Sequence, residues 1–424
     1  MSADLPAKQK TGSGRILELD AIRALTCLNL LLFHFTYVYA NKYGFASDLG
    51  FSLPYGKYGV QLFFMLSGLV NAMTLIQKRK PGDFLASRCI RILPSYWLVI
   101  CLNLVLFSTL SMYNQTISWE STLANLSTLP NLLGHENMEP VTWTLQVEML
   151  FYLFLLGLFL LGLLERPLRS MMIAVTSCVA CCLFFDWYRQ VEPHSSWNGF
   201  FHVADELLFM RNLPLFSMGI LLNELRCKRG KPVRLWLGIV FSGMAFHLVD
   251  LRDHNPAVTV LLMATLTAAA YGKLPFLRFR PLVFISVISY PLYLLHNNLG
   301  SALMKQLESQ GIAPLPTVIL AILFSIGLAT GVTYWFEQPI TRRLRKVFNP
   351  RTNTRSKADT PGLVSKSEKL FLLTEPTASG FNSQRPGKNT DPRIASPPPG
   401  GRGAHPEQSA DQMLPAFSTS APTP

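Results

Sequence analysis

The chain has 424 residues, of which 49% are hydrophobic and only 15% are charged. Soluble globular proteins carry about 25% charged residues, so the composition argues against a soluble protein and predicts one with several membrane helices. The formal net charge of +13 does not indicate nucleic-acid binding, because the basic residues stand mostly in short clusters between apolar runs.

Apolar runs long enough to cross a bilayer, about 20 residues each, follow one another along most of the chain. The first is too long for the core of a signal peptide, so we expect it to be retained. The span near 204–224 is the weakest, because it contains Asp205, Glu206 and Arg211. The predicted fold class is all-α, a polytopic transmembrane bundle of about ten helices, near residues 16–40, 58–77, 95–112, 142–164, 167–187, 204–224, 233–251, 256–272, 283–303 and 314–337.

Lysine and arginine concentrate on alternate loops, which predicts the orientation of the bundle, because basic loops stay in the cytoplasm. With the N-terminus inside, the cytoplasmic loops hold basic clusters within 78–91, 166–169, 226–234, 273–280 and 342–346. Both termini are then cytoplasmic. The outer loops hold only five basic residues, which are Lys42, Lys57, Arg189, Arg252 and Lys305.

Residues 347–424 are rich in Pro, Ser, Thr and Gly and cannot bury a hydrophobic core. We therefore predict a transmembrane domain over residues 1–346 and a disordered cytoplasmic tail over residues 347–424. The seven cysteines lie in or beside apolar segments without zinc-like spacing, so we interpret them as small hydrophobic residues. We expect no metal site and no bound cofactor.

The first apolar run, LELDAIRALTCLNLLLFHF, carries Asp20, Arg23 and His34, which are costly inside a bilayer. Arg23 and His34 are about three helical turns apart, so they lie on nearly one face and about 16 Å apart along the axis. Asp20 can pair with Arg23 one turn away. The structural alternative is an Asp–Arg pair at the membrane edge and a core histidine. However, ionisable residues inside membrane helices usually line a cavity or a path.

Two later segments place polar groups at the predicted depth of His34, in the outer half of the membrane. They are TWTLQVEMLFYLF, with Glu148, and ISYPLYLLHNNLG, with Tyr293 and His296. A histidine beside a carboxylate is typical of a general base. Asp20, Tyr293, His296 and Arg211 are possible substrate-binding or supporting residues. The alternatives are that His296 is a polar residue at the outer interface and that Arg211 pairs with Asp205 and Glu206.

The cytoplasmic segment RKPGDFLASRCIRILPSYW places Arg88 and Arg91 one turn apart, just before the third predicted span. Arginines in this arrangement can bind phosphate groups. The preference of basic residues for the cytoplasmic side is the alternative, and it accounts for the preceding lysines. Ser67, in FFMLSGLV, has no base beside it in the sequence, and we interpret it as a small packing residue together with Gly68.

Six segments, in this order, resemble the acyltransferase-3 family of integral membrane O-acyltransferases. They are LDAIRALTCLNLLLFHF, QLFFMLSGLV, RCIRILPSYW, TWTLQVEMLFYL, ISYPLYLLH and FEQPITRRL, spread over roughly residues 15–346. Two features depart from the family's pattern. Ala21 and Ala24 replace common glycines, and Ser87 stands where a wider-spaced arginine pair would need its first member.

The resemblance implies a cytoplasmic acyl-CoA, most simply acetyl-CoA, as co-substrate and a hydroxyl acceptor on a glycan or glycolipid across the membrane. It implies catalytic roles for Arg23, His34 and Glu148, and acyl-CoA binding by Arg88 and Arg91. In the expected reaction, His34 removes the acceptor's proton while Glu148 or another carboxylate orients the imidazole. Arg23 holds the donor or stabilises developing negative charge. The bilayer, acyl-CoA and a carbohydrate are the expected partners.

Two other functions stay open at this stage. A transporter or flippase would use the same intramembrane charges as a translocation path, although the sequence has no inverted repeat and no matched pair of broken helices. A sensor or scaffold would keep the fold without catalysis. The expected location is a bacterial cell inner membrane, with several crossings.

Overall fold

The computed structural model describes residues 16–77, 81–109, 118–207, 209, 211–250 and 254–348. The basic cluster at 78–80 and the predicted tail beyond residue 348 lie outside these ranges, as does the basic N-terminus. Within them the chain forms helices and short helical turns and contains no strand. The predicted all-α class is therefore confirmed.

Twelve helices follow one another along the described residues. We number them in chain order: α1 Leu17–Tyr43, α2 Gly59–Gln77, α3 Pro81–Thr109, α4 Trp119–Leu126, α5 Trp143–Leu160, α6 Pro167–Val191, α7 Trp197–Leu207, α8 Leu213–Arg226, α9 Pro232–Val249, α10 Pro256–Ala270, α11 Arg280–Ser309 and α12 Pro314–Phe348.

Eight of the described helices are long and apolar enough to cross a membrane, namely α1, α2, α3, α5, α6, α9, α11 and α12. The shorter α10 is apolar as well, and α8 is buried within the protein. These helices make the chain a multi-pass membrane protein. The side of the membrane that each loop faces stays a prediction.

The span predicted at 204–224 is wrong as a single helix, because the structure divides it into α7 and α8. Between them, Phe209 adopts a positive φ of 39°, which an α-helix does not accommodate. The break lies next to Arg211, whose guanidinium contacts Asp186, Asp205 and the carbonyl oxygen of Val249. The helix is thus interrupted next to the ion pairs that Arg211 forms with Asp186 and Asp205. The side chain of Glu206 lies outside the described residues.

Helix α3 begins at Pro81, well before the predicted start near residue 95. Pro94 lies inside the helix, although a proline there removes one backbone hydrogen bond. Membrane helices tolerate such prolines when neighbouring groups satisfy the freed carbonyl. As a result, Arg88 and Arg91 lie within α3 and project from a rigid element.

Helix α8 forms the centre of the bundle, since every residue from Leu213 to Leu225 is buried. It packs against α2 through two glycines that allow direct contact between the backbones. A Cβ atom on Gly68 would lie 2.2 Å from the carbonyl oxygen of Phe216, and one on Gly219 would lie 2.0 Å from that of Met65. This small-residue contact is typical of membrane helix pairs. It fixes the α2 face on which Ser67 lies.

Helices α1 and α11 pack side by side and carry the two histidines of interest. A Cβ atom on Gly300 would lie 2.3 Å from the ring of Phe35, so the ring occupies the place of a side chain there. Residues His34–Val38 form a π-helical turn inside α1. Such turns insert one residue into a helix and recur at functional sites.

Candidate active site

The imidazoles of His34 and His296 are in direct contact between α1 and α11. His34 Nδ1 lies 2.8 Å from the carbonyl oxygen of Leu30 and 3.1 Å from His296 Nε2. The ring centroids are 4.9 Å apart. His296 is only 1% exposed, whereas His34 is partly exposed. Of the two rings, His34 is the one that a substrate can reach.

The hydrogen bonds define the neutral tautomer of each ring. His296 Nδ1 lies 2.8 Å from the carbonyl oxygen of Tyr293 and 3.1 Å from that of Leu292, and a carbonyl only accepts. Nδ1 of His296 therefore carries its proton, and Nε2 accepts from His34 Nδ1–H. His34 Nδ1 in turn donates to Leu30 as well. Nε2 of His34 is left as an acceptor, which is the nitrogen that a general base needs.

A buried acid, Glu139, lies beside this pair in the loop before α5. Its Oε1 accepts from Asn297 Nδ2 at 3.0 Å, and its Oε2 accepts from Asn103 Nδ2 and the Asn298 backbone N–H at 3.4 Å. Burial raises the pKa of Glu139 to about 7, although these hydrogen bonds oppose the shift. The acid ties α3, α5 and α11 together behind the histidines.

We call the cavity that reaches His34 the histidine cavity; its volume is about 420 Å³. Aromatic rings from Phe33, Phe64 and Trp143 form part of its wall. Polar groups from α1, α2, α11 and the adjoining loops complete the lining; they are His34, Lys42, Lys57, Gln61, Asn212, His254, Tyr293 and Asn297. Aromatic walls with a few placed polar groups are typical of ligand sites.

A second cavity, which we call the arginine cavity, is lined by Arg23, Arg88 and Arg91. Arg23 Nη1 lies 3.2 Å from Asp20 Oδ1, as predicted from their spacing. Glu148 lines the same cavity. Three guanidinium groups thus surround one space, with Glu148 as the carboxylate on its wall.

Glu148 is held by two hydroxyl groups. Its Oε1 accepts from Ser67 Oγ at 3.1 Å and from the Tyr152 hydroxyl. Asn71 Nδ2 donates to Ser67 Oγ at 2.9 Å. These bonds give Ser67 a polar role in addition to the predicted packing role. They also keep Glu148 in the arginine cavity. The expected carboxylate therefore does not lie beside the His34 imidazole, and the hydrogen-bond partners of His34 Nδ1 are His296 Nε2 and the Leu30 carbonyl oxygen.

Arg88 has buried hydrogen-bond donors without a protein acceptor. The residue is 8% exposed, and its Nε and Nη2 atoms have no hydrogen-bond partner in the described structure. Its guanidinium lies 5.3 Å from the ring centroid of Phe84 and 5.6 Å from that of Tyr152. Aromatic faces partly stabilise the cation, but unmade hydrogen bonds to a buried charge are costly. The arrangement suits an anionic ligand that brings its own acceptors.

The two cavities adjoin, because Val60, Phe64 and Tyr293 line both. Tyr293 is fixed at this junction, with its hydroxyl 2.6 Å from Thr144 Oγ1 and 2.8 Å from the carbonyl oxygen of Val141. The two cavities therefore lie side by side between α1, α2, α5 and α11, with the arginines lining one and His34 lining the other. Arg23 and His34 thus each line a cavity, as expected for ionisable residues inside a membrane helix.

The structure brings several of the predicted site residues together. The arginine cavity is lined by Arg23, Arg88, Arg91, Glu148 and Tyr293. The histidine cavity is lined by His34 and Tyr293, and His296 lies behind His34, away from the cavity. It places Arg211 elsewhere, in an ion-pair cluster with Asp186 and Asp205 on α6 and α7. That matches the alternative in which Arg211 pairs with nearby acids.

Sequence reasoning missed Glu139, Tyr152, Asn71 and Asn103. Asn103 and Tyr152 lie within apolar helices. An isolated polar residue in a membrane span often marks a functional site, so these two residues could have been identified from the sequence. Glu139 gave no such signal, because it lies in a loop and is buried only by the packing of other segments.

This fold and site are those of an integral membrane acyltransferase. The chain belongs to the acyltransferase-3 family: the family's model, described as an acyltransferase domain, matches residues 16–335. The chain is 26% identical over 318 residues to the exopolysaccharide production protein ExoZ of Rhizobium meliloti (strain 1021), covering 71% of this chain and 94% of that protein. No solved structure matches the chain significantly. The resemblance drawn from the motifs is confirmed.

Proposed function

We propose that the protein is an O-acetyltransferase of a bacterial inner membrane that moves an acetyl group from cytoplasmic acetyl-CoA to a hydroxyl of an extracytoplasmic glycan or glycolipid. The observation that carries the proposal is that the arginine cavity and the histidine cavity adjoin, with Val60, Phe64 and Tyr293 lining both. The name of the Rhizobium relative, which concerns exopolysaccharide production, supports a saccharide acceptor.

The arginine cavity supplies the donor site in this proposal. Coenzyme A carries phosphate groups, and arginine binds phosphate through paired, charge-assisted hydrogen bonds. Arg88 offers two buried donor atoms that lack a partner, and Arg91 and Arg23 line the same space. Arg23 lies about 16 Å from His34 along the helix axis, which favours a role in holding the donor over one at the reacting carbonyl.

His34 acts as the general base. Its Nε2 takes the proton of the acceptor hydroxyl while the hydroxyl oxygen bonds to the thioester carbonyl carbon. The C–S bond then breaks, and the coenzyme A thiolate takes up the proton from the imidazolium. Because His34 Nδ1–H donates to His296 Nε2 and to the Leu30 carbonyl, the positive charge that forms on the ring is stabilised and its orientation is kept.

Purified protein in lipid nanodiscs tests the proposal. Acetyl-CoA with an oligosaccharide acceptor should release free thiol, and mass spectrometry should detect the acetylated sugar. His34→Ala should abolish both signals, whereas His202→Ala, at an exposed histidine on α7, should keep them. Movement of unmodified sugar across the bilayer without thioester consumption would identify a transporter and overturn the proposal.

A further inference from the structure

The histidine cavity has an unusual charge balance. Its lining contains two lysines, Lys42 and Lys57, and two histidines, His34 and His254, but no aspartate or glutamate. His254 Nδ1 is hydrogen-bonded to Asp250 Oδ2, and that acid stands behind the histidine and is buried. The two ammonium groups thus set the charge that a ligand meets.

The two lysines are exceptions to the charge pattern of the chain. Only five basic residues fall on predicted outer loops, and two of them line the cavity that contains the reactive His34. Basic residues on the outer side are disfavoured by the general topology rule. The topology rule therefore does not explain the lysines in this cavity, whereas binding of an anionic ligand would explain them.

Aromatic rings hold both ammonium groups without neutralising them. Lys42 Nζ lies 5.1 Å from the ring centroid of Tyr43, and Lys57 Nζ lies 5.5 Å from that of Tyr58. In the part of the chain that the structure describes, neither lysine has a carboxylate within ion-pair distance. A cation–π contact fixes the position of the charge and leaves it available to an anion.

The other lining groups suit a saccharide. Phe33, Phe64 and Trp143 give flat apolar faces, and the side chain of Asn297 adds a polar amide to the wall. Lys42 follows His34 by about 12 Å along α1, so a group bound at the lysine and a hydroxyl at His34 belong to different parts of one extended ligand.

We infer that the acceptor is an anionic saccharide, whose carboxylate or phosphate group binds Lys42 and Lys57 while one of its hydroxyls meets His34. This inference rests on the proposed function and adds the charge class of the acceptor to it. The aromatic side chains of the wall stack on the sugar, and the lysines determine which sugar unit lies beside the general base His34.

Equilibrium binding of three trisaccharides to the full-length protein in nanodiscs of zwitterionic lipid tests the inference. The probes are maltotriose, maltotriose 1-phosphate and trigalacturonic acid, which share a length and differ in charge. We expect at least one anionic probe to bind tenfold or more tightly than maltotriose, with the preference falling as salt rises. The probe that is preferred identifies phosphate or carboxylate as the group.

The double variant Lys42→Gln/Lys57→Gln should lose the preference, and Lys42→Arg/Lys57→Arg should keep it. Lys305→Gln is the matched control, because Lys305 also lies over the Tyr43 ring but does not line the cavity. Equal binding of the three probes, or none, would overturn the inference, as would a preference that survives the glutamine variant. Failure of the proposed function appears separately, as the absence of thiol release with any acceptor.

Discussion

His34 Nδ1 and His296 Nε2 lie 3.1 Å apart, with one proton between them, and this contact joins α1 to α11. A buried imidazole occupies the position that a carboxylate takes in many general-base pairs. It orients His34 without placing a negative charge in the membrane, where an unpaired carboxylate is costly.

His296 should act as a positioning residue. We expect His296→Ala to lower kcat for acetyl transfer by about tenfold to a hundredfold, because the His34 ring loses its second hydrogen bond and its fixed orientation. The KM for acetyl-CoA should stay unchanged, since donor binding is assigned to the arginine cavity. His296→Gln should recover part of kcat, because the amide oxygen can accept the same bond. A rise in donor KM with constant kcat would contradict this role.

Arg88 should lower the stability of the protein while it contributes to donor binding. Because its buried Nε and Nη2 have no partner, we expect Arg88→Met to raise the thermal unfolding temperature, by an amount that corresponds to about 1–3 kcal/mol. The same variant should raise the KM for acetyl-CoA about tenfold or more. Arg229→Gln, at a half-exposed arginine, is the control for both measurements. An Arg88→Met protein that is less stable and binds donor normally would refute the assignment.

Glu139 should make stability depend on pH. It lies in a loop outside the membrane-spanning helices, and its pKa is raised from 4.5 to about 7 in the folded protein. Between these values the folded state holds a proton that the unfolded state lacks, so the free energy of unfolding falls as pH rises. The full effect is about 3 kcal/mol.

Thermal unfolding in detergent, followed from pH 4.5 to pH 8, measures this dependence. The unfolding temperature should decrease with pH in the wild-type protein and change less in Glu139→Gln, which has no proton to lose. Identical slopes for the two proteins would show that another group is responsible.

The glycine contact between α2 and α8 should tolerate no side chain. Gly219→Ala places a Cβ atom 2.0 Å from the Met65 carbonyl oxygen, so we expect loss of most folded protein, measured by size exclusion in detergent. Gly327→Ala on α12 is the control, because nothing lies within 4 Å of its Cβ position. That change should be neutral or stabilise by up to about 1 kcal/mol. Normal yields of Gly219→Ala would contradict the packing.

The long apolar helices were predictable because membrane spans need a continuous run of apolar residues. The break between α7 and α8 was not, because it depends on the three-dimensional partners of Arg211. The early start of α3 was missed because an apolar run marks a membrane span but not the charged helical turns, with Arg88 and Arg91, that precede it. The pairing of Arg88 with Arg91 followed from their spacing of one helical turn, but the presence of Glu148 in the same cavity did not, because it depends on how α5 packs. The choice of His296 over Glu148 as the neighbour of His34 depends on the exact rotation of α5 and α11, and spacing within one segment does not determine that.

Helix α8 has only 14 residues and is surrounded by protein, which has a consequence for biogenesis. At 1.5 Å per residue it spans about 21 Å, less than the hydrocarbon thickness of a bilayer. Its stable co-translational insertion therefore depends on packing against neighbouring helices. Helix α2 has already been synthesised by then, but α9 has not, so we expect this region to settle only after α9 emerges.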